Sequence, residues 1–149
     1  MRIRRATEHD ANAIHQLLAR CGSEGTLAPV EPTLGDIENF LRAQSAGAFM
    51  IADSGGDAGV AMYDRQGDVL WLFRLAVIPS SRGRGFGRAL VNAVEAAARG
   101  ASASAVFVQI PSALDARAFF ETLGYRVDIE EPDVVGGLPI TMVDLVKLV

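Results

Sequence analysis

The chain has 149 residues, a formal net charge of -4 and one cysteine, and half of its residues are hydrophobic. This composition predicts one packed domain spanning residues 1–149 rather than a disordered chain. The acidic balance argues against nucleic acid or an anionic membrane as the main partner, and no apolar run reaches the ~18 residues that a membrane helix needs. A single cysteine excludes an intrachain disulfide and is consistent with a cytoplasmic protein.

The first half of the chain predicts a strand, two helices and a hairpin. Residues 1–5 form the strand, and Thr7 and Thr33 are the predicted N-caps of the two helices that follow. Residues 48–53 and 59–63 are two mostly apolar segments on either side of a Ser-Gly-Gly-Asp turn. This arrangement predicts a β-hairpin.

The second half predicts four strands and two helices. A buried strand over residues 71–77 leads through a loop into a helix that ends at Gly100. The remaining elements are a strand at 105–110, a helix capped by Ser112 and closed by Gly124, a strand at 125–129, a polar loop at 130–137 and a final strand at 140–148. This order, β-α-α-β-β-β-α-β-α-β-β, predicts a mixed α/β fold that is neither doubly wound nor a sandwich.

The histidines and the cysteine do not indicate a metal site or a nucleophile. His9 and His15 are six residues apart, which is not the i, i+4 spacing of helical metal ligands, so no metal is predicted. Cys21 falls near the end of a predicted helix, where a lone cysteine usually serves as a small apolar filler.

Residues 82–88 read Arg-Gly-Arg-Gly-Phe-Gly-Arg, between the strand that Pro79 ends and a helix. Glycines let the backbone approach a ligand, the first helical N–H groups lack partners, and the helix dipole favours an anion. The stretch therefore predicts a phosphate-binding loop; the alternative is a structural turn with solvated arginines. It lacks the lysine of a Walker loop, and its Gly-x-Gly-x-Gly spacing is not the dinucleotide fingerprint.

Two motifs resemble the GNAT family of acetyl-CoA-dependent N-acetyltransferases. Residues 75–79 read Leu-Ala-Val-Ile-Pro, and residues 82–87 match that family's Arg/Gln-x-x-Gly-x-Gly/Ala acyl-coenzyme A loop. Residues 115–125 are similar to its late helix, which ends in an aromatic pair and a Gly-Phe or Gly-Tyr. The resemblance covers essentially the whole chain and implies a GNAT-like fold, a mixed central sheet whose fourth and fifth strands splay apart.

The resemblance also implies where acetyl-CoA would bind. Its pantetheine arm would lie in the gap between the splayed strands and pair with backbone groups of the fourth strand, and its pyrophosphate would meet the loop and the following helix. The implied coenzyme-binding residues are Leu75, Ala76, Val77, Arg82, Gly83, Arg84, Gly85, Phe86, Gly87, Arg88, Asp115 and Phe119.

The catalytic groups are where the sequence departs from the family. The tyrosine that the family often uses as general acid is Phe120 here, and its usual asparagine is Ala113; Ser112 or Asp115 are candidates to replace the asparagine contact. The general acid and base are therefore unassigned. Candidate bases are the carboxylates of Glu24, Glu31, Asp68, Glu130 and Glu131, although each also suits a solvated surface position.

The resemblance implies direct acetyl transfer to an amine of a small molecule or a peptide. A backbone N–H near Ala76 or Val77 would stabilise the oxyanion. Three acids at 130–133 point to a cationic acceptor. The missing tyrosine keeps a second hypothesis open, a non-catalytic acyl-CoA sensor, whereas a nucleotide phosphotransferase is disfavoured. The resemblance is also compatible with a homodimer, because sheet edges of this fold often pair.

Overall fold

The computed structural model describes residues 1–21, 32–112 and 116–149. Its elements follow the predicted order. They are β1 (Arg2–Arg5), α1 (Ala11–Cys21), α2 (Leu34–Arg42), β2 (Ala46–Asp53), β3 (Gly56–Gln66), β4 (Val69–Val77), α3 (Phe86–Gly100), β5 (Ala105–Pro111), α4 (Arg117–Thr122), β6 (Arg126–Val135) and β7 (Leu138–Leu148).

In the part of the chain that the structure describes, seven strands form one mixed sheet in the order β1-β2-β3-β4-β5-β7-β6. The central neighbours β4 and β5 pair in parallel, whereas the flanking pairs are antiparallel. The predicted mixed α/β fold is therefore confirmed.

Helices cover both faces of the sheet. On one face, Phe40 of α2 packs edge-on against Phe73 of β4, with ring centroids 6.2 Å apart. On the other face, α3 lies so close to β3 that a Cβ on Gly59 would come within 3.1 Å of Leu90 Cδ1 and 2.9 Å of the Ala76 carbonyl oxygen. A glycine at position 59 thus lets α3 pack directly on the strands that lead to the glycine-rich loop.

The two predicted N-caps are both present. Thr33 Oγ1 accepts a hydrogen bond from Asp36 N, and the Asp36 carboxylate accepts one from Thr33 N. Thr7 and Asp10 form the equivalent capping box in the short turn before α1. Each box satisfies N–H groups that a helix start leaves without partners.

Asp10 joins this cap to β1. Both guanidinium nitrogens of Arg4 donate to its carboxylate at 2.8 Å, and Thr7 N donates as well. The Arg4 hydrogen bond is the largest cause that holds the pKa of Asp10 at about 2, below the ordinary 3.8. A depressed folded-state pKa stabilises the fold above pH 4, and this contribution disappears as the pH falls towards 2.

We expect Asp10→Asn to lower the free energy of unfolding by about 1 kcal/mol at pH 7, because solvent screens the partly exposed Arg4–Asp10 pair. The difference from the parent protein should close as the pH falls from about 4 to about 2, because the parent carboxyl then becomes protonated. Urea unfolding across this pH range measures it. Asp128→Asn, at an exposed position on β6, is the control, with an expected effect below about 0.5 kcal/mol. An Asp10→Asn deficit that does not change with pH would contradict the assignment.

The structure corrects two boundaries in the last third of the chain. Residues 130–135 continue β6 instead of forming a polar loop, and Gly136 and Gly137 alone make the turn, both at positive φ. β6 is an edge strand, where charges and a proline such as Pro132 are tolerated because one side of the backbone needs no partner. Helix α4 begins only at Arg117, after Ala116 and without a side-chain cap, so Ser112 does not cap it.

The sheet opens between β4 and β5, as the resemblance to the GNAT family implies. Their pairing runs from Val69–Ala105 to Leu72–Val108 and stops there, although β4 continues to Val77 and β5 to Pro111. At the same point β4 carries a bulge, since Leu72 pairs with Tyr63 and Arg74 with Met62, which leaves Phe73 as the extra residue. The two strands therefore diverge towards the glycine-rich loop.

Candidate active site

The glycine-rich loop between β4 and α3 has the backbone geometry that its sequence predicts. Gly83 and Gly85 have φ of 76° and 83°, a region that only glycine adopts without strain. Gly85 is the N-cap of the 15-residue helix α3 and uses no side chain for capping. The first N–H groups of α3 are therefore left for a ligand or water, next to the arginines at 82, 84 and 88.

Asp53, at the end of β2, holds this loop in place. Its Oδ2 accepts a hydrogen bond from Ser81 Oγ at 2.8 Å and lies 3.7 Å from Arg84 NH1. The Ser81 hydrogen bond is also the largest cause that lowers the pKa of Asp53. Sequence reasoning missed Asp53, because its partners are about 30 residues away and no local pattern marks the contact.

Alternate backbone groups of β4 point into the opening. Ile78 N donates to Ala58 O on β3, so Ala76 N–H also points to β3, and the groups of Leu75 and Val77 point to the β5 side. The Val77 carbonyl there accepts a hydrogen bond from Arg82 Nε at 2.9 Å. Arg82 thus lies against the end of β4.

Helix α4 borders the same opening. A Cβ on Gly87 would come 3.3 Å from Phe119 Cζ and 4.0 Å from Val77 Cγ2, so these three positions meet at the start of α3. Phe120 lies in the core with no exposed surface, edge-on to Tyr125 at 5.4 Å between ring centroids. Its side chain fills the core and has no titratable group.

A family model described as the Acetyltransferase (GNAT) family matches residues 11–125. The chain belongs to this family. Members transfer an acetyl group from acetyl-CoA, and this match favours an N-acetyltransferase over a non-catalytic sensor. A comparison with curated proteins gives no match.

Solved GNAT structures share the whole fold with this acetyltransferase. The ribosomal-protein-S18-alanine N-acetyltransferase from Escherichia coli is 17% identical, covers 99% of this chain and 92% of its own, and has a TM-score of 0.83. The ribosomal-protein-alanine N-acetyltransferase from Brucella melitensis is 21% identical over 100% of both chains, with a TM-score of 0.80. A probable acetyltransferase from Staphylococcus epidermidis is 13% identical, covers 99% and 98%, and has a TM-score of 0.84.

The carboxylates predicted from the sequence do not gather at one place in the GNAT fold. Asp68 precedes β4, about 30 Å along the chain from Val77 at ~3.3 Å per residue. Glu130 lies 3.6 Å from Arg117 and so faces α4, whereas Glu131 is the next residue of the strand and points to the opposite face. Three other candidates, Glu24, Glu31 and Asp115, lie outside the described residues.

Sequence reasoning missed two further acids, which lie on the sheet face that α2 packs on. We call the surface formed by Asp64, Trp71, Phe73, Phe107 and Asp144 the aromatic–acidic face. Trp71 stacks on Phe107 with ring centroids 4.9 Å apart, and Phe73 is 38% exposed. Asp64 pairs across strands with Trp71, and its Oδ1 is buried and accepts no hydrogen bond from the described residues.

Asp144 is the most buried carboxylate of this face. Asp144 lies on β7 and is only 7% exposed. Its Oδ1 accepts a hydrogen bond from Gln109 Nε2 at 2.9 Å. Gln109 lies on β5 just beyond Val108, where pairing with β4 stops. The pair therefore lies beside the opening. No pattern in β7 marks Asp144, because its neighbours on both faces of the strand are buried apolar residues.

Cys21 is not an activated nucleophile. It is buried at the end of α1, and burial raises the pKa of its thiol, although the nearby Arg82 lowers it in part. A buried thiol with a raised pKa is mostly protonated at neutral pH and so reacts slowly. Among the described residues no cluster of metal-ligating side chains occurs, and no described helix is long and apolar enough to cross a membrane.

Proposed function

We propose that this GNAT acetyltransferase transfers the acetyl group of acetyl-CoA directly to a cationic amine, on a small molecule or at a peptide terminus. The observation that carries the proposal is the opening between β4 and β5, which leads onto the glycine-rich loop and the start of α3. Two of the structures named above are ribosomal-protein-alanine N-acetyltransferases, and an alanine amine of a protein belongs to this class of acceptor.

The residues at the opening fit a coenzyme A thioester. The backbone groups of Leu75 and the N–H of Val77 have no strand partner on the β5 side, which suits the amides of an extended pantetheine arm, whereas the Val77 carbonyl accepts from Arg82. The free N–H groups of residues 86–88 and the loop arginines suit the pyrophosphate. Gly87, packed against Phe119, keeps the space between α3 and α4 free of a side chain.

The thioester supplies an activated acetyl group, so the protein needs chiefly to stabilise the oxyanion and to position the two reactants. An N–H of Leu75 or Val77 donates to the carbonyl oxygen, and one such donor contributes about 2.7–4 kcal/mol in acyl transfer. Holding amine and thioester side by side provides much of the remaining acceleration, without a covalent enzyme intermediate. Phe120 has no proton to give, so solvent protonates the departing thiolate, whose ordinary pKa near 8.5 makes it a fair leaving group.

We assign the amine to the aromatic–acidic face. The stacked Trp71 and Phe107 rings attract a cation through their faces, and Asp144 supplies the carboxylate. Because only a neutral amine attacks, the ammonium must lose a proton at this site, and we assign this proton to Asp144, which lies beside the opening through its hydrogen bond with Gln109.

We expect the protein to release free thiol from acetyl-CoA with cationic amines, and faster than with uncharged aromatic amines. Asp144→Asn should lower kcat/KM at least about tenfold, with a shifted pH profile and unchanged binding of coenzyme A, because only the acceptor side is altered. Thiol release with an amine panel measures both effects.

The controls separate this proposal from its alternatives. Asp133→Asn removes an exposed carboxylate of β6 and should leave kcat/KM unchanged. Tight coenzyme binding without turnover on any amine would favour the acyl-CoA sensor, and turnover that Asp144→Asn leaves unaffected would remove Asp144 from the mechanism. The homodimer stays a prediction, which the sedimentation of the purified protein tests.

A further inference from the structure

A second concave site lies at the other end of α3. It is an open cavity of about 780 Å³ between the C-terminal half of α3 and the sheet, and residues of β1, β2, β3 and β4 all line it. This volume falls within the ~300–1,000 Å³ of small-molecule sites. Its wall on α3 includes Ala97, ten residues beyond Gly87, which is about 15 Å along the helix at 1.5 Å per residue. The cavity is therefore separate from the coenzyme opening.

One wall of this cavity is an aromatic shelf. The rings of Phe49 and Tyr63 stack at 5.9 Å between centroids, with 24° between their planes. Tyr63 lies directly over Gly47, its partner in the strand register, and any Cβ at position 47 would collide with the Tyr63 ring. The opposite wall is built of small residues, since alanine occupies positions 93, 96 and 97. Together they leave a flat slot with apolar walls.

Two arginines border the slot without an acidic partner among the described residues. Arg5 NH1 donates to Tyr63 Oη at 2.9 Å, and the Arg5 guanidinium lies 5.0 Å from the centre of the Phe49 ring. Arg65 donates from Nε to Gly67 O at 3.0 Å and from NH1 to Ala101 O at 2.8 Å. The described lining contains no carboxylate, so the site is locally cationic in a chain whose net charge is -4.

We propose that this slot binds a carboxylate with a flat apolar body, such as an aryl carboxylate, as a ligand distinct from both substrates. The apolar body lies between the Phe49–Tyr63 shelf and the alanines of α3, where it is removed from water. The carboxylate meets Arg5, whose planar guanidinium has further donors beyond the one that Tyr63 uses. The Arg65 guanidinium is held in place by hydrogen bonds to two backbone carbonyls, and its positive charge also attracts the carboxylate.

The test uses 2-naphthoate and its uncharged counterpart 2-naphthamide, with ¹H–¹⁵N NMR of the full chain. We expect 2-naphthoate to shift the amide signals around Arg5, Tyr63 and Ala97, and to bind at least about tenfold more tightly than 2-naphthamide, because a charged hydrogen bond is lost with the amide. Saturating coenzyme A should leave this binding intact.

Matched variants identify the site. Arg5→Gln should weaken 2-naphthoate binding at least about tenfold, whereas Arg2→Gln, the same change on the same strand but outside the cavity lining, should not alter it. Circular dichroism checks that both variants are folded. Absent binding, equal affinity for acid and amide, insensitivity to Arg5→Gln, or competition with coenzyme A would each overturn the proposal. None of these results depends on turnover, so the proposed function stands or falls separately.

Discussion

Replacing Gly87 with valine is expected to weaken the binding of coenzyme A at least about 100-fold while leaving the protein folded. Gly87 lies in the first turn of α3, where a Cβ already approaches Phe119 Cζ to 3.3 Å. The branches of valine would push α4 away or fill the space between the two helices. Either displacement disturbs the N–H groups offered to the pyrophosphate, and each charged hydrogen bond contributes about 1.5–3 kcal/mol.

Gly100→Val is the matched control for this experiment. Gly100 ends the same helix, and a Cβ there meets no atom within 4 Å. Isothermal titration with coenzyme A should give parent-like affinity for Gly100→Val. If Gly87→Val also binds with parent-like affinity, the coenzyme does not lie between α3 and α4, and the proposed site is refuted.

Replacing Glu95 with alanine is expected to lower the free energy of unfolding by about 3–5 kcal/mol, the cost of breaking a buried ion pair. The Glu95 side chain on α3 is only 3% exposed, and it accepts hydrogen bonds from Tyr125 Oη at 3.0 Å and Lys147 Nζ at 2.9 Å. Burial, helped by the adjacent carboxylate, raises the pKa of Tyr125, so its hydroxyl remains a neutral donor. Without Glu95, Tyr125 loses its acceptor in the interior, and Lys147, whose side chain is 29% exposed, loses its counter-ion.

Arg99→Ala separates the buried pair from the exposed one. Arg99 NH2 lies 3.6 Å from the same Glu95 carboxylate, but its own side chain is 56% exposed, so the expected loss is below about 1 kcal/mol. Urea unfolding gives both values. A double variant, Glu95→Leu with Lys147→Met, should recover part of the loss because it removes both charges together. If Glu95→Ala costs no more than Arg99→Ala, the cluster does not hold α3 to β7.

The order of the elements was predictable because local signals agree with the fold. Each of these signals lies within a few consecutive residues. They are the capping boxes at Thr7 and Thr33, the glycines of the 82–88 loop, and Gly124, which follows α4 at φ 94°. The length of β6 was not predictable in this way. Its Glu-Glu-Pro-Asp segment has the composition of a loop, and only its position at the sheet edge makes a strand acceptable.

The chemistry of the candidate site was predictable only in its coenzyme half. A loop that binds phosphate through backbone groups carries a signature in consecutive residues, whereas a carboxylate beside the opening depends on the register of strands far apart in sequence. Asp144 meets Gln109 across 35 positions, and Asp53 meets Ser81 across 28. The predicted acids were chosen by their position in the sequence alone. Because Glu130 and Glu131 are consecutive residues of the strand β6, their side chains point to opposite faces of the sheet.

The bulge at Phe73 also marks a position where β4 can lose one residue without a change of register. Phe73 contacts Phe40, and the charge of Arg74 helps to lower the pKa of Asp36. Two consecutive residues of β4 therefore point to the same helix, α2. Deleting Phe73 would restore plain alternation and leave Leu72 opposite Tyr63 and Arg74 opposite Met62, so every later group of β4 would keep its direction. A single-codon deletion of Phe73 would thus remove its contact with Phe40 on α2 and still present the same amides of Leu75 and Val77 to the thioester.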